Sequence, residues 1–234
     1  MLSKPVKTLC AVAATLLAAV SLPAHAGKTI DAIKARGQLV CGVNTGLAGF
    51  SAADSQGNWS GLDVDYCKAL AASLLGDATK IKWVPLNAQQ RFTALQSGEI
   101  DVLSRNTTWT LARDSSLGLS FVGVTYYDGQ GFIVNAKKNP NVKSVNDLAG
   151  ATICTQSGTT TELNIADYFK SQKLDYKLLT FEKNDEALAA YQDGRCDSYS
   201  TDQSGLYAQK LKMATPDDNL VLPEIISKEP LGPV

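Results

Sequence analysis

Apolar residues fall into two kinds of run along this chain: short solid ones, and longer ones spaced three and four apart. Residues 38–43 (QLVCGV) form the first solid run, suited to a strand buried on both faces. After a Gly- and Ser-rich loop, Val64, Cys67, Leu70, Ala71 and Leu74 share one face of a helix over residues 63–75, with Gly76 placed to end it. Residues 80–86 (KIKWVPL) alternate as a strand. Residues 87–97 have helical spacing with Phe92 and Leu95 inward, Gly98 ends them, and residues 100–103 form a third strand. Strand–helix–strand–helix–strand implies parallel pairing through right-handed crossovers.

The second half repeats the plan. Residues 151–155, 176–181 and 196–200 read as strands, and residues 161–171 and 185–193 as the helices between them. One fragment recurs almost letter for letter: residues 94–101 (ALQSGEID) against residues 190–197 (AYQDGRCD), 96 positions apart. Each is a helix end, a glycine and a strand start. The pattern predicts two α/β lobes, with residues 126–132 (YYDGQGF) and their two glycines as the crossing between them.

The amino terminus does not fit that plan. Lys4 and Lys7 precede an apolar run over residues 9–22, and Pro23 and Ala24-His25-Ala26 follow. This is the layout of a secretory signal cut after Ala26, and the run is short of the roughly 20 residues a bilayer span needs. Cleavage leaves 208 of 234 residues and, from a net charge of −1 less two lysines, about −3. Twenty-two basic against 23 acidic residues give no basic excess, which argues against a nucleic-acid partner. His25, the single histidine, leaves with the signal, so the mature chain has no Ser-His-Asp triad, no Cys-His dyad and no His-ligated metal.

Export places Cys41, Cys67, Cys154 and Cys196 in an oxidising compartment, where disulfides are the expected state. Three pairings are possible. Cys41–Cys67 with Cys154–Cys196 keeps each bridge inside one lobe, and each is worth about 3–4 kcal/mol on the loop-entropy argument. No C-x-x-C occurs, so neither a metal nor another cofactor is called for.

Three loops stand beyond strand ends, where open α/β sheets bind ligands. Residues 104–113 (SRNTTWTLAR) offer the hydroxyls of Thr108 and Thr110 and the planar donor fork of Arg113, which suits a carboxylate. Residues 156–162 (QSGTTTE) place Thr159 and Glu162 at capping-box spacing, so a helix begins there and its free N–H groups favour an anion. Residues 200–205 (STDQSG) supply Asp202, either a partner for an ammonium or a helix N-cap. A carboxylate fork, an N–H nest and an anion for NH₃⁺, drawn from both lobes, match an α-amino acid zwitterion.

Five fragments in order, 61–65 (GLDVD), 91–101 (RFTALQSGEID), 106–113 (NTTWTLAR), 158–162 (GTTTE) and 197–202 (DSYSTD), resemble the polar amino-acid-binding components of ABC importers, solute-binding protein family 3. The likeness runs from about Thr29 onward and is strongest to the general L-amino-acid-binding type. It implies the type II periplasmic-binding-protein fold: signal peptide 1–26, lobe one 27–128, lobe two 129–226, and a return crossing to lobe one over 227–234, with a longer parent protein beyond. It implies Arg113, Thr108 and the Thr160 backbone as donors to the ligand carboxylate, and Asp202 as partner of its ammonium. Arg91 would face the ligand side chain. Phe50 stands where relatives stack an aromatic on the ligand, and Asn106 where they have Ser or Gly. The implied protein is a periplasmic monomer that binds an L-amino acid, delivers it to an inner-membrane permease, and is not an enzyme. The rivals are a dehydratase-like enzyme acting on a small carboxylic acid, and the sensor domain of a receptor.

Overall fold

The computed structural model describes residues 27–234; the segment read as an export signal, residues 1–26, lies outside the described residues. The chain opens with helix α1 (Lys28–Arg36), which the hydrophobic pattern does not single out and which Gly37 ends at φ 69°. Strand β1 (Leu39–Asn44) is buried along its whole length, as a solid apolar run requires. A small hairpin, β2 (Ala52–Ala53) and β3 (Trp59–Ser60), fills the loop before α2 (Leu62–Leu75). Gly76, at φ 70°, closes that helix by donating to the Ala72 carbonyl.

Strand β4 (Ile81–Leu86), helix α3 (Arg91–Gln96) and the short β5 (Val102–Leu103) complete a three-stranded parallel sheet in the order β4-β1-β5. Its two faces hold separate cores. Leu39, Cys41 and Val43 pack with Cys67 and Ala71 of α2 on one side, while Val40, Leu86 and Leu103 pack with Ala94 of α3 on the other.

The second sheet is mixed. Strands β7 (Thr152–Gln156), β8 (Lys177–Phe181) and β9 (Ser198–Asp202) are parallel, joined by α4 (Thr160–Gln172) and α5 (Asn184–Gln192). The long β6 (Tyr126–Asn135) runs antiparallel to β9. Helix α6 (Gln203–Lys210) follows β9, and β10 (Asn219–Val221) and β11 (Ser227–Leu231) both pair antiparallel with β6.

The residues expected to link the lobes, 126–132, are therefore strand. They run beside β11, which returns the chain the other way. Thr125 N–H donates to the Leu231 carbonyl, and Val234 exchanges both backbone hydrogen bonds with Leu103 at the edge of the first sheet. Two antiparallel segments thus cross between the lobes.

The internal repeat has a common job. Gly98 and Gly194 turn the chain at φ 75° and 77°. Three residues on, Asp101 accepts from the Val40 N–H at 2.7 Å and Asp197 from the Thr152 N–H at 2.8 Å. Each aspartate clamps the start of its lobe's first parallel strand, β1 or β7. The cysteines pair locally: Cys41 with Cys67 joins β1 to α2, and Cys154 with Cys196 joins β7 to the approach of β9, at Cα separations of 6.4 and 5.7 Å.

Candidate functional site

The segments that follow β4, β5, β7, β8 and β9 at their carboxyl ends meet in the gap between the sheets. A cavity of about 20 Å³ remains, room for about one water, lined by Arg91, Arg105, Asn106 and Thr108 from the first lobe and Gln156, Thr159, Thr160, Thr161, Asn184, Thr201 and Asp202 from the second. Larger hollows of about 550 and 480 Å³ lie elsewhere, each lined by one lobe alone. The small cavity is the one where charged groups from both lobes converge.

Its walls touch. Arg91 Nη2 reaches the Gly158 carbonyl at 3.4 Å, Arg105 Nη2 donates to Gln156 Oε1 at 3.3 Å, and the Thr108 and Thr160 hydroxyls stand 3.4 Å apart. Gly158, at φ 72°, lies against Gln89 so closely that a Cβ there would meet that side chain. The lobes are closed on one another, and a ligand larger than water enters only when these contacts part.

The loop after β5 is held in a tight form. Asn106 adopts φ 32°, unusual for a residue with a side chain. Its N–H donates to Asp63 Oδ2 at 2.8 Å and its Oδ1 accepts from Asn44 Nδ2 at 3.0 Å. Asp63, on the first turn of α2, is thus the anchor of this loop, and burial pushes its carboxyl up to about 6 against the pull of the Asn106 N–H, the Arg105 charge and the Ser104 hydroxyl.

Arg113 sits on a π-helical turn over Ala112–Ser116, and its N–H donates to the Thr110 hydroxyl just before that turn at 3.2 Å. Thr110 therefore serves the backbone. The Arg113 guanidinium donates to the Thr108 carbonyl at 2.7 Å and lies over the Phe92 ring at 5.1 Å. It is buried just behind the cavity wall and does not line it. Arg91 also stands over that ring, at 4.6 Å, its Nε buried without a partner. Arg105 donates from Nε to the Leu86 carbonyl at 3.0 Å. Three guanidiniums are thus buried together, and among the described residues none forms a salt bridge to a carboxylate.

That crowding is visible in their acidities. Burial first, then repulsion from Arg105 and Arg113, holds Arg91 well below the usual arginine range. Burial likewise lowers Arg105 to about 10. Arg113 is lowered by burial, against the attraction of Glu229 and Asp202.

Asp202 lies across from them. It occupies the N-cap position of α6, yet its side chain caps nothing. Burial, then the charges of Asp128 and Glu229, pushes its carboxyl up to about 8, although Arg91 and Arg113 pull the other way. At α4 the Thr159 hydroxyl accepts from the Glu162 N–H, and Glu162 reaches back to the Gly158 N–H at 2.9 Å, one residue before the expected partner. Capping therefore leaves the Thr160 and Thr161 end of the helix facing the cavity.

Phe50 departs from the expected placement beside a ligand. It is buried edge-on against Tyr126 at 5.5 Å, packed with Leu47 and Leu231, and does not line the cavity. Trp109 stacks on Phe121 and Trp59 tilts against Trp83. Sequence reasoning passes over Arg105, Asp63 and Glu229. Arg105 lies inside the fragment that yields Thr108 and Arg113, so its position was the available signal; Glu229, beside Pro230, carries none.

The sequence profile of the bacterial extracellular solute-binding proteins, family 3, matches residues 39–209. The chain is 59% identical, over 97% of its length, to the general L-amino acid-binding periplasmic protein AapJ of Rhizobium johnstonii. It is 53% identical, over 93% of its length, to the glutamate/glutamine/aspartate/asparagine-binding protein BztA of Rhodobacter capsulatus. Among solved structures, a periplasmic binding protein of an ABC transporter from Brucella ovis with glutathione bound superposes over 89% of the chain at a TM-score of 0.86 and 60% identity. The chain spans just under two thirds of each of these relatives, 66%, 64% and 65% of their lengths. With the two-lobed fold, the closed interlobe site and these likenesses together, the chain belongs to the bacterial extracellular solute-binding proteins, family 3.

Proposed function

We propose that the protein is the exported binding component of an ABC importer. It takes polar L-amino acids into the cleft between its lobes and passes them to an inner-membrane permease. The observation that supports this best is the meeting of opposites around the cleft: three buried guanidiniums without a salt bridge lie near Asp202, a buried carboxylate on the cavity wall that caps nothing. Buried charges need partners, and an α-amino acid supplies both signs.

In this reading the α-carboxylate lies at the Arg113 and Thr108 corner, beside the first N–H groups of α4 at Thr160, and the α-ammonium pairs with Asp202. Arg91, with a free buried Nε, takes the far end of the side chain, which favours ligands carrying an acceptor there. Asn106 bounds the cavity with its side chain already committed to Asn44, and Phe50 supports the crossing without touching ligand. A γ-glutamyl group such as that of glutathione presents the same α-amino and α-carboxylate ends as free glutamate.

Closure is driven by differential contact. The ligand meets both lobes only in the closed form, so it stabilises that form. The segments 122–126 and 227–234 are where the motion is absorbed. Residues 1–26 direct export to the periplasm, and the protein acts as a monomer without a cofactor.

A dehydratase on the same fold is the second reading, because Asp202, raised to about 8, has the acidity a general acid needs. Calorimetric titration with glutamate, glutamine, aspartate and leucine, followed by chromatography of the ligand, separates the two. Saturable one-to-one binding with ligand recovered unchanged is the expected result. No binding to any of them, or conversion of the ligand, overturns the proposal.

A further inference from the structure

Glu229 lies on β11, opposite Asp128 on β6, in the pair of strands that crosses between the lobes. It is 2% exposed, an unusual place for a carboxylate in a segment that otherwise carries the chain from one lobe to the other. Its oxygens are occupied. Oε2 accepts from the Thr160 hydroxyl at 2.9 Å, and Oε1 from Asn164 Nδ2 at 2.8 Å and from the Ser227 hydroxyl. Asn164 is held in turn by the buried Gln130 of β6, at 3.0 Å from its Oε1.

One consequence concerns Thr160. A hydroxyl has a single hydrogen and a carboxylate accepts only, so the Thr160 hydrogen is committed to Glu229. The Thr108 hydroxyl, 3.4 Å away across the cleft, must then be the donor of that contact. The Thr160 oxygen shows the cavity lone pairs alone. Whatever touches it there must bring an N–H or O–H. The backbone N–H of the same residue, at the start of α4, remains a donor, so one residue presents a donor and an acceptor to different parts of a ligand.

The other consequence is charge. Glu229 acts on both Arg113 and Asp202 across the buried site. It stands behind the wall, so it adds negative potential without occupying the cavity.

We infer that Glu229 is a specificity-determining, positioning residue: by fixing the Thr160 hydroxyl as an acceptor and adding a second buried negative charge beside Asp202, it makes the site select ligands that carry an ammonium group on the α-carbon. The inference rests on the amino-acid reading above and deepens it. Asp202 touches the ammonium; Glu229 acts through Thr160 and through its field. Discrimination against a neutral α-substituent, such as the hydroxyl of a 2-hydroxy acid, is its contribution.

The test compares glutamate with 2-hydroxyglutarate, which replaces the ammonium by a hydroxyl, in the unsubstituted protein and in Glu229→Gln and Thr160→Val, with melting curves to confirm folding. In Glu229→Gln, glutamate should weaken about tenfold while 2-hydroxyglutarate binds no more weakly than before, so the preference for the amino acid shrinks. Thr160→Val keeps Glu229 in place and should shrink the preference in the same direction. Combining the two should cost less than the sum of the single effects, as for residues acting through one contact. Equal weakening of both ligands means that Glu229 is a structural brace and overturns the inference, as does an unchanged preference. If Glu229→Gln does not fold, Thr160→Val alone decides by the same ratio. Failure of the unsubstituted protein to bind glutamate overturns the amino-acid reading instead.

Discussion

If Asp202 receives the ligand ammonium, binding must expel a proton. Its carboxyl is raised from 3.8 to about 8 in the ligand-free site, by burial first and by Asp128 and Glu229 next. At pH 7, below that value, most molecules hold the proton, whereas an ammonium pairs only with the ionised form. Close to one proton should therefore be released per ligand bound at pH 7, and the affinity should fall about tenfold for each unit further down in pH. The assay is calorimetric titration in phosphate and in Tris, whose ionisation enthalpies differ. The apparent binding enthalpy should differ between them by the proton count times that difference. Asp202→Asn should abolish the buffer dependence and flatten the pH profile while weakening binding at pH 8. Equal enthalpies in the two buffers with an affinity flat from pH 6 to 8 would refute the pairing.

Three further outcomes follow from the same structure. Asp63 and Asp202 are both raised, to about 6 and about 8, so their stabilising contribution is complete below about pH 4 and is lost as pH rises through those values; the ligand-free melting temperature should fall from pH 5 to 8.5, and Asp202→Asn should remove the upper part of the fall. Arg113→Ala should weaken glutamate, glutamine and leucine alike, by about thirtyfold to several thousandfold, with lysine an incomplete substitute, whereas Arg91→Ala should alter the ranking and hurt glutamate most; uniform titration curves across parent and variants contradict both roles. Peptide mapping without reductant should recover Cys41 joined to Cys67 and Cys154 joined to Cys196, and a Cys41–Cys154 peptide would contradict the local pairing.

The parallel strands and their helices are legible because burial on both faces leaves an unbroken apolar run, and β1 is the plainest case. The start of α3 is not. The spacing allows a helix from residue 87, but the Asn87 side chain accepts from the Gln89 and Gln90 N–H groups and holds the chain in a turn, so the helix begins at Arg91. Strand β6 is concealed by Gly129 and Gly131, which suggest a loop. In the fold they are small because Ile225, and the Gln203 and Leu206 side chains, press on that face of the strand. Its partners β10 and β11 lie about 90 to 100 residues on, beyond the reach of a local pattern.

The site divides the same way. Asp202, at the end of β9, Thr108, beyond β5, and Thr160, at the start of α4, are a carboxylate and hydroxyls that can be picked out by type. Arg113 lies one layer back, against the Thr108 carbonyl, and no spacing rule separates wall from backing. Phe50 is an aromatic of the kind a ligand could stack on, yet it is packed with Leu47 and Leu231. Glu229 reaches the site only because β11 folds back beside β6, which no sequence neighbour announces.

Where the ligand sits can be seen in a crystal structure with glutamine bound. The α-carboxylate should lie within hydrogen-bond distance of Arg113 and the Thr160 N–H, the ammonium on Asp202, and the cavity of about 20 Å³ should be enlarged to hold the ligand between the lobes. Glutamine seated instead in the hollow beside Lys138 and Tyr191 on the second lobe, with the cleft contacts intact, would contradict it.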